Sequence, residues 1–101
     1  MRTQEREVRN GSRIVTGVVN PDGTINATSG PGFSVVKAGV GSYNVYIHGF
    51  KVVRSASVLL TGGGFVLAYL TSPNIVQVNT YATSTGASDI GFEFMVDGLV
   101  R

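Results

Sequence analysis

The sequence predicts an all-β fold: a compact antiparallel β-sandwich, jelly-roll-like, of about eight short strands behind a charged N-terminal arm. Three observations carry this expectation. Beyond Arg13 the chain is a series of short runs rich in Val, Ile, Tyr and Phe, broken by Gly, Asn, Ser and Pro, which is the residue usage of strands joined by turns. The runs recur about every ten residues, as they do in sandwiches and barrels. None of them has a helical period.

Residues 1–12 read as the arm and residues 13–101 as a single sandwich domain. The opening MRTQEREVRNGSR is charged, holds almost nothing apolar except Val8, and ends in Asn-Gly-Ser. Two readings stay open for it: a frayed or short helical terminus, or an attachment arm whose Arg2, Arg6, Arg9 and Arg13 dock on a neighbouring subunit or a particle. The strand candidates follow in order: RIVTGVV (13–19), TINAT (24–28), FSVVKA (33–38), SYNVYIHG (42–49), SVLLT (57–61), FVLAYL (65–70), IVQVNTYA (75–82) and IGFEFMVD (90–97).

The turns between them have mechanisms. In Asn20-Pro21-Asp22-Gly23, proline presets φ at the second turn position and Asp-Gly supplies residues that tolerate positive φ. Gly62-Gly63-Gly64 is expected to join its two neighbours as a tight hairpin. Ser72-Pro73-Asn74 and 83–88 make the next two reversals.

Alternation assigns the faces. Ile90, Phe92, Phe94 and Val96 form a core face against Gly91, Glu93, Met95 and Asp97. Tyr43, Val45 and Ile47 point inward with Phe33 and Val35, leaving Asn44, Tyr46 and His48 outward. Phe65, Leu67 and Tyr69 alternate with Val66, Ala68 and Leu70, so this run is apolar on both faces. It is expected either at the centre of two layers or in a subunit interface.

The composition excludes several functions. The chain has no cysteine, which removes disulfides, thiolate metal sites and cysteine nucleophiles together. Its net charge is +2, with four of its eight basic residues in the first thirteen positions. The body therefore lacks the basic, aromatic-studded stripe of a nucleic-acid binder. No apolar stretch approaches the ~20 residues of a spanning helix, and the start is no basic-then-apolar leader, so the chain reads as soluble and made without an export signal. Outside the arm the acids are Asp22, Asp89, Glu93 and Asp97, and turn or strand-end roles account for the three aspartates. His48 is the only histidine and has no carboxylates at ligand spacing. The triple glycine lacks the lysine and following helix of a phosphate loop. No serine sits in a nucleophile elbow. No enzyme, metal site or cofactor is expected. The one polar-aromatic cluster that stands out is Asn44, Tyr46 and His48, suited to stacking on a sugar or a partner surface.

Three segments carry a resemblance to a known group. They are Val-Asn-Pro-Asp-Gly-Thr-Ile (19–25), the run Gly32 to Ile47 with its G-F-S-V-x-K-x-G-x-G-x-Y-x-V-x-I spacing, and Asp89 to Gly98 with D-I-x-F-x-F-x-V-x-G. Their order resembles the small β-domains of bacteriophage virion surfaces, such as tail-fibre tips and capsid-decoration or head-fibre domains. The resemblance implies a homotrimeric structural module on the virion surface, made in the host cytoplasm. Its partners would be its own copies and capsid or other virion proteins, with no nucleic acid, membrane insertion or cofactor. The alternative it implies is a receptor- or glycan-binding adhesion module at a fibre tip.

Overall fold

The alternating runs become strands that bury one face each. A computed structural model of the chain describes residues 5–7, 12–26, 32–83 and 86–100, with 5–7 and Ser12 described by backbone alone. Eight strands form among them: β1 (Glu5–Glu7), β2 (Ser12–Val19), β3 (Phe33–Gly39), β4 (Ser42–Ile47), β5 (Val52–Leu60), β6 (Phe65–Ser72), β7 (Ile75–Tyr81) and β8 (Phe92–Leu99). They make two four-stranded sheets, sheet I in the order β1-β2-β8-β5 and sheet II in the order β3-β4-β7-β6. Every pairing is antiparallel. The protein is an all-β sandwich.

The chain passes repeatedly between the layers. It leaves sheet I after β2, makes the β3–β4 hairpin in sheet II, returns for β5, crosses again for the β6–β7 hairpin and closes in sheet I with β8. Strands far apart in sequence are thereby nested: β8 lies between β2 and β5, and β7 between β4 and β6. The first residue of β2 faces the last of β8, Ser12 opposite Leu99.

The inward sets interdigitate. Sheet I contributes Val15, Val19, Val53, Phe92, Phe94 and Val96, sheet II Phe33, Tyr43, Val45, Ile47, Val76 and Val78, all buried. Phe33 meets Phe94 edge-on with ring centroids 4.7 Å apart, and Tyr43 meets Phe92 at 5.2 Å, the geometry that opposed ring quadrupoles favour. Gly17 makes the first contact possible: a Cβ there would lie 2.3 Å from the Phe33 ring. A missing side chain in one layer is filled from the other.

The 20–23 turn forms as its residues require. Gly23 N–H donates to the Asn20 carbonyl at 2.9 Å, Gly23 adopts φ 90°, and Asp22 accepts from the Thr24 backbone N–H at 3.0 Å and from its hydroxyl at 2.6 Å. The buried Tyr43 phenol donates to the Pro21 carbonyl at 2.6 Å, which ties this turn to the opposite sheet.

Several expectations are corrected. The triple glycine is not a hairpin turn: β5 pairs with β8 and β6 with β7, so residues 61–64 carry the chain from one sheet to the other. The strand expected over 24–28 is reduced, among its described residues, to one bridge between Ile25 and Val19; residues 27 and 28 lie outside the described set. β5 begins five residues earlier than expected, and β8 begins at Phe92 rather than Ile90. Of the two places expected for the apolar β6, the centre is removed, because it lies at the edge of its sheet.

Candidate functional site

The outward residues of sheet II form one continuous face. Register sets Val36, Asn44, Gln77 and Tyr69 in one cross-strand row, and Ser34, Tyr46, Ile75 and Ser72 in the next. Toward the other end stand Ser42, Asn79 and Leu67, then Tyr81 with Phe65. His48 joins this face from the turn after β4, its Nε2 3.0 Å from the Ser34 hydroxyl. Gln77 donates to the Ser42 hydroxyl at 3.3 Å. Among the described residues this face carries no Asp, Glu, Lys or Arg. Surfaces that become the buried centre of an interface have this signature, depleted in charge and enriched in tyrosine and phenylalanine.

Asn44, Tyr46 and His48 therefore lie together on one outer face. Asn44 and Tyr46 are half-buried by their neighbours and His48 is exposed. Sequence reasoning missed how far the face extends. Tyr69, Gln77, Ile75 and Tyr81 belong to the same surface, and the missing information was strand order. Alternation within each run separates its two faces, but only the pairing of β4 with β7 and of β7 with β6 makes them one surface.

Of the proposed attachment residues, Arg2 and Arg9 lie outside the described residues. Arg6 lies in β1, which pairs with the start of β2, Arg6 opposite Ile14. Arg13 stands across that ladder opposite Glu7, and its guanidinium sits 5.9 Å from the centre of the Phe50 ring, within cation–π range. The described part of the arm is thus the edge strand of sheet I.

The carboxylates at the far pole bind the protein's own backbone. Asp89 accepts the Gly41 N–H at 2.7 Å and pairs with Lys37 at 3.1 Å. The Gly41 hydrogen bond first, then Lys37, holds its pKa below the usual value. Asp22 is likewise lowered, first by the Thr24 hydroxyl and then by the Thr24 N–H. Burial pushes the Tyr43 phenol up, with the Asp89 charge adding to it. These groups brace two turns across the end of the sandwich. Among the described residues no group of three His, Cys, Asp or Glu side chains gathers to hold a metal ion, and no helix is long and apolar enough to cross a membrane.

No family model, curated protein or solved structure matches this chain. The outer face of sheet II stands on its own geometry. It is a broad, gently polar surface with tyrosines spaced among amides and hydroxyls, and it can stack on or hydrogen-bond to a partner.

Proposed function

We propose that the protein is a non-enzymatic structural module of a bacteriophage virion surface, a homotrimeric capsid-decoration, head-fibre or tail-fibre domain attached through its N-terminal arm. The observation that carries this reading is the uncharged outer face of sheet II. A chain this small leaves Tyr69, Leu67, Phe65 and Val36 about half exposed or more, which suits a protein whose work is contact. Two of the four acids of the body, Asp22 and Asp89, are occupied in bracing turns, which favours a structural role over catalysis. The three segments that resemble phage surface domains favour the virion as the place of contact.

Particle incorporation tests the reading. Removing Met1 to Arg9 is expected to leave the sandwich folded by circular dichroism but to abolish co-sedimentation with particles; full incorporation without the arm overturns attachment through it.

A second reading, a receptor- or glycan-binding module, is favoured by the row of Asn44, Gln77 and Tyr69 with Tyr46 in the row beside it. Planar rings beside amides are what stack on sugar faces and bond their hydroxyls. On this reading Tyr46→Ala is expected to remove binding to host cells or a glycan array without changing the thermal midpoint. A blank array for the intact oligomer, where repeated sites strengthen weak contacts, overturns it.

A further inference from the structure

The side of the sandwich opposite the arm is open. Among the described residues β5 pairs only with β8 and β6 only with β7, and these two edges run along the same side, joined by residues 61–64; on the β5 edge the Val53 N–H already donates to the Pro73 carbonyl at 2.7 Å. Neither strand is short or carries proline or a row of charges, and Arg54 is the one charged residue on the two; a register shift interrupts each, between Val53 and Ser55 in β5 and between Leu70 and Ser72 in β6. The layers approach each other here, where Val58, Leu60 and Val66 pack partly buried against the core, but they leave other inward positions uncovered. Ala68 and Leu70 face inward with Val78 and Val76, and Ala56 faces inward with Val96, yet all three are exposed. A groove of about 220 Å³ remains between them, lined by Val53, Ala56, Ala68, Leu70 and Val76 among others. Beside it Leu59, Phe65 and Leu67 project with more than half their surface in solvent.

We infer that further copies of this chain cover this side, joining their half-formed cores through the β5 and β6 edges. This rests on the assembling reading above and names the surface that does the assembling. The occupant follows from three features. The groove and the apolar side chains that flank it, Leu59 on the outer face of sheet I and Phe65 and Leu67 on that of sheet II, belong to one chain, so copies offer each other like surfaces. The surface carries almost no charge for a charged partner to recognise. The area is sufficient: strands of this length run about 28 Å, and two stacked sheets with their outer side chains are about 25 Å across. The product, about 700 Å², is near the ~800 Å² per partner that stable associations bury.

Light scattering on the intact chain and on charge variants of this surface tests the inference. Leu67→Lys and Ala68→Lys change exposed side chains, so circular dichroism is expected to stay native. Each variant is expected to raise the dissociation constant about tenfold or more, because it buries an unpaired charge. Val40→Glu, in the exposed β3–β4 turn, is expected to leave the mass unchanged. A wild-type monomer overturns the inference, as does association with a different protein only. An oligomer that withstands both variants, or one that Val40→Glu also dissolves, overturns this surface as the interface. Particle incorporation, scored separately through the arm deletion, then still decides whether the chain is a virion module.

Discussion

The side of the sandwich where β3 and β4 lie over β2 and β8 and the side where β6 faces β5 use much the same residues. They differ in outcome because of size complementarity. On the first side a large ring stands opposite a missing one, Phe33 over Gly17, and the layers lock. On the second, Ala56 and Ala68 are too small to close the groove that Leu70 and Val76 also line, so apolar side chains remain in water. Apolar composition makes a surface worth burying; matched volumes decide whether the chain can bury it alone.

Substitutions on the two sides sharpen this contrast. Phe92→Ala deletes a ring with no exposed surface and is expected to lower unfolding stability by about 3–5 kcal/mol in urea titration. If the closed side were as loose as the open one, the loss would fall below about 1 kcal/mol. Two glycine changes compare packing directly. Gly17→Ala forces the Phe33 ring aside and is expected to destabilise by about 1–3 kcal/mol. Gly63→Ala, with nothing within 4 Å of the new methyl, is expected to move the same titration little; equal effects at the two sites would erase the distinction.

Tyr43→Phe removes the phenol that holds the Pro21 carbonyl and is expected to cost about 0.5–1.5 kcal/mol at neutral pH. Its pKa is raised in the fold, so the unfolded chain ionises first. Wild-type stability should fall as pH rises past 10, the ordinary value of a phenol, and the Phe variant should lose that part of the fall.

At the acid end the sign reverses. Asp22 and Asp89 are lowered in the fold from 3.8, so their contribution is complete above the unfolded value and is lost as pH falls below about 4 toward their folded values. Thermal midpoints against pH are expected to be flatter in that window for Asp89→Asn than for wild type. The smallest effect belongs to the open side: Leu67→Ala is expected to shift the stability of the isolated subunit by no more than about 0.5 kcal/mol.

Much of the fold could be read from residue pattern because strands here bury one face. β4 and β8 alternate without interruption, and their inward residues were assigned correctly. The failures have local causes. The first half of β5 escaped because Val52, Val53, Arg54 and Ser55 do not alternate, and the register indeed shifts between Val53 and Ser55. The glycine run at 62–64 looked like a hairpin because local composition describes how sharply a chain bends but not which strand it meets next. The same limit applied to the contact face. Asn44, Tyr46 and His48 were visible on one strand, whereas their neighbours Gln77 and Tyr69 enter through pairings between distant segments.

The pairing of Ser12 with Leu99 has a practical consequence. It brings the start of β2 and the end of β8 side by side at one pole, while the glycine crossing at 61–64 lies at the other. A short linker across the first pole with a new opening at Gly63 would preserve the pairings of β2 to β8 and leave out only β1, so the sandwich is suited to circular permutation. By the same geometry it could be spliced as a cassette into a surface loop of another protein, leaving through nearly the same point at which it entered.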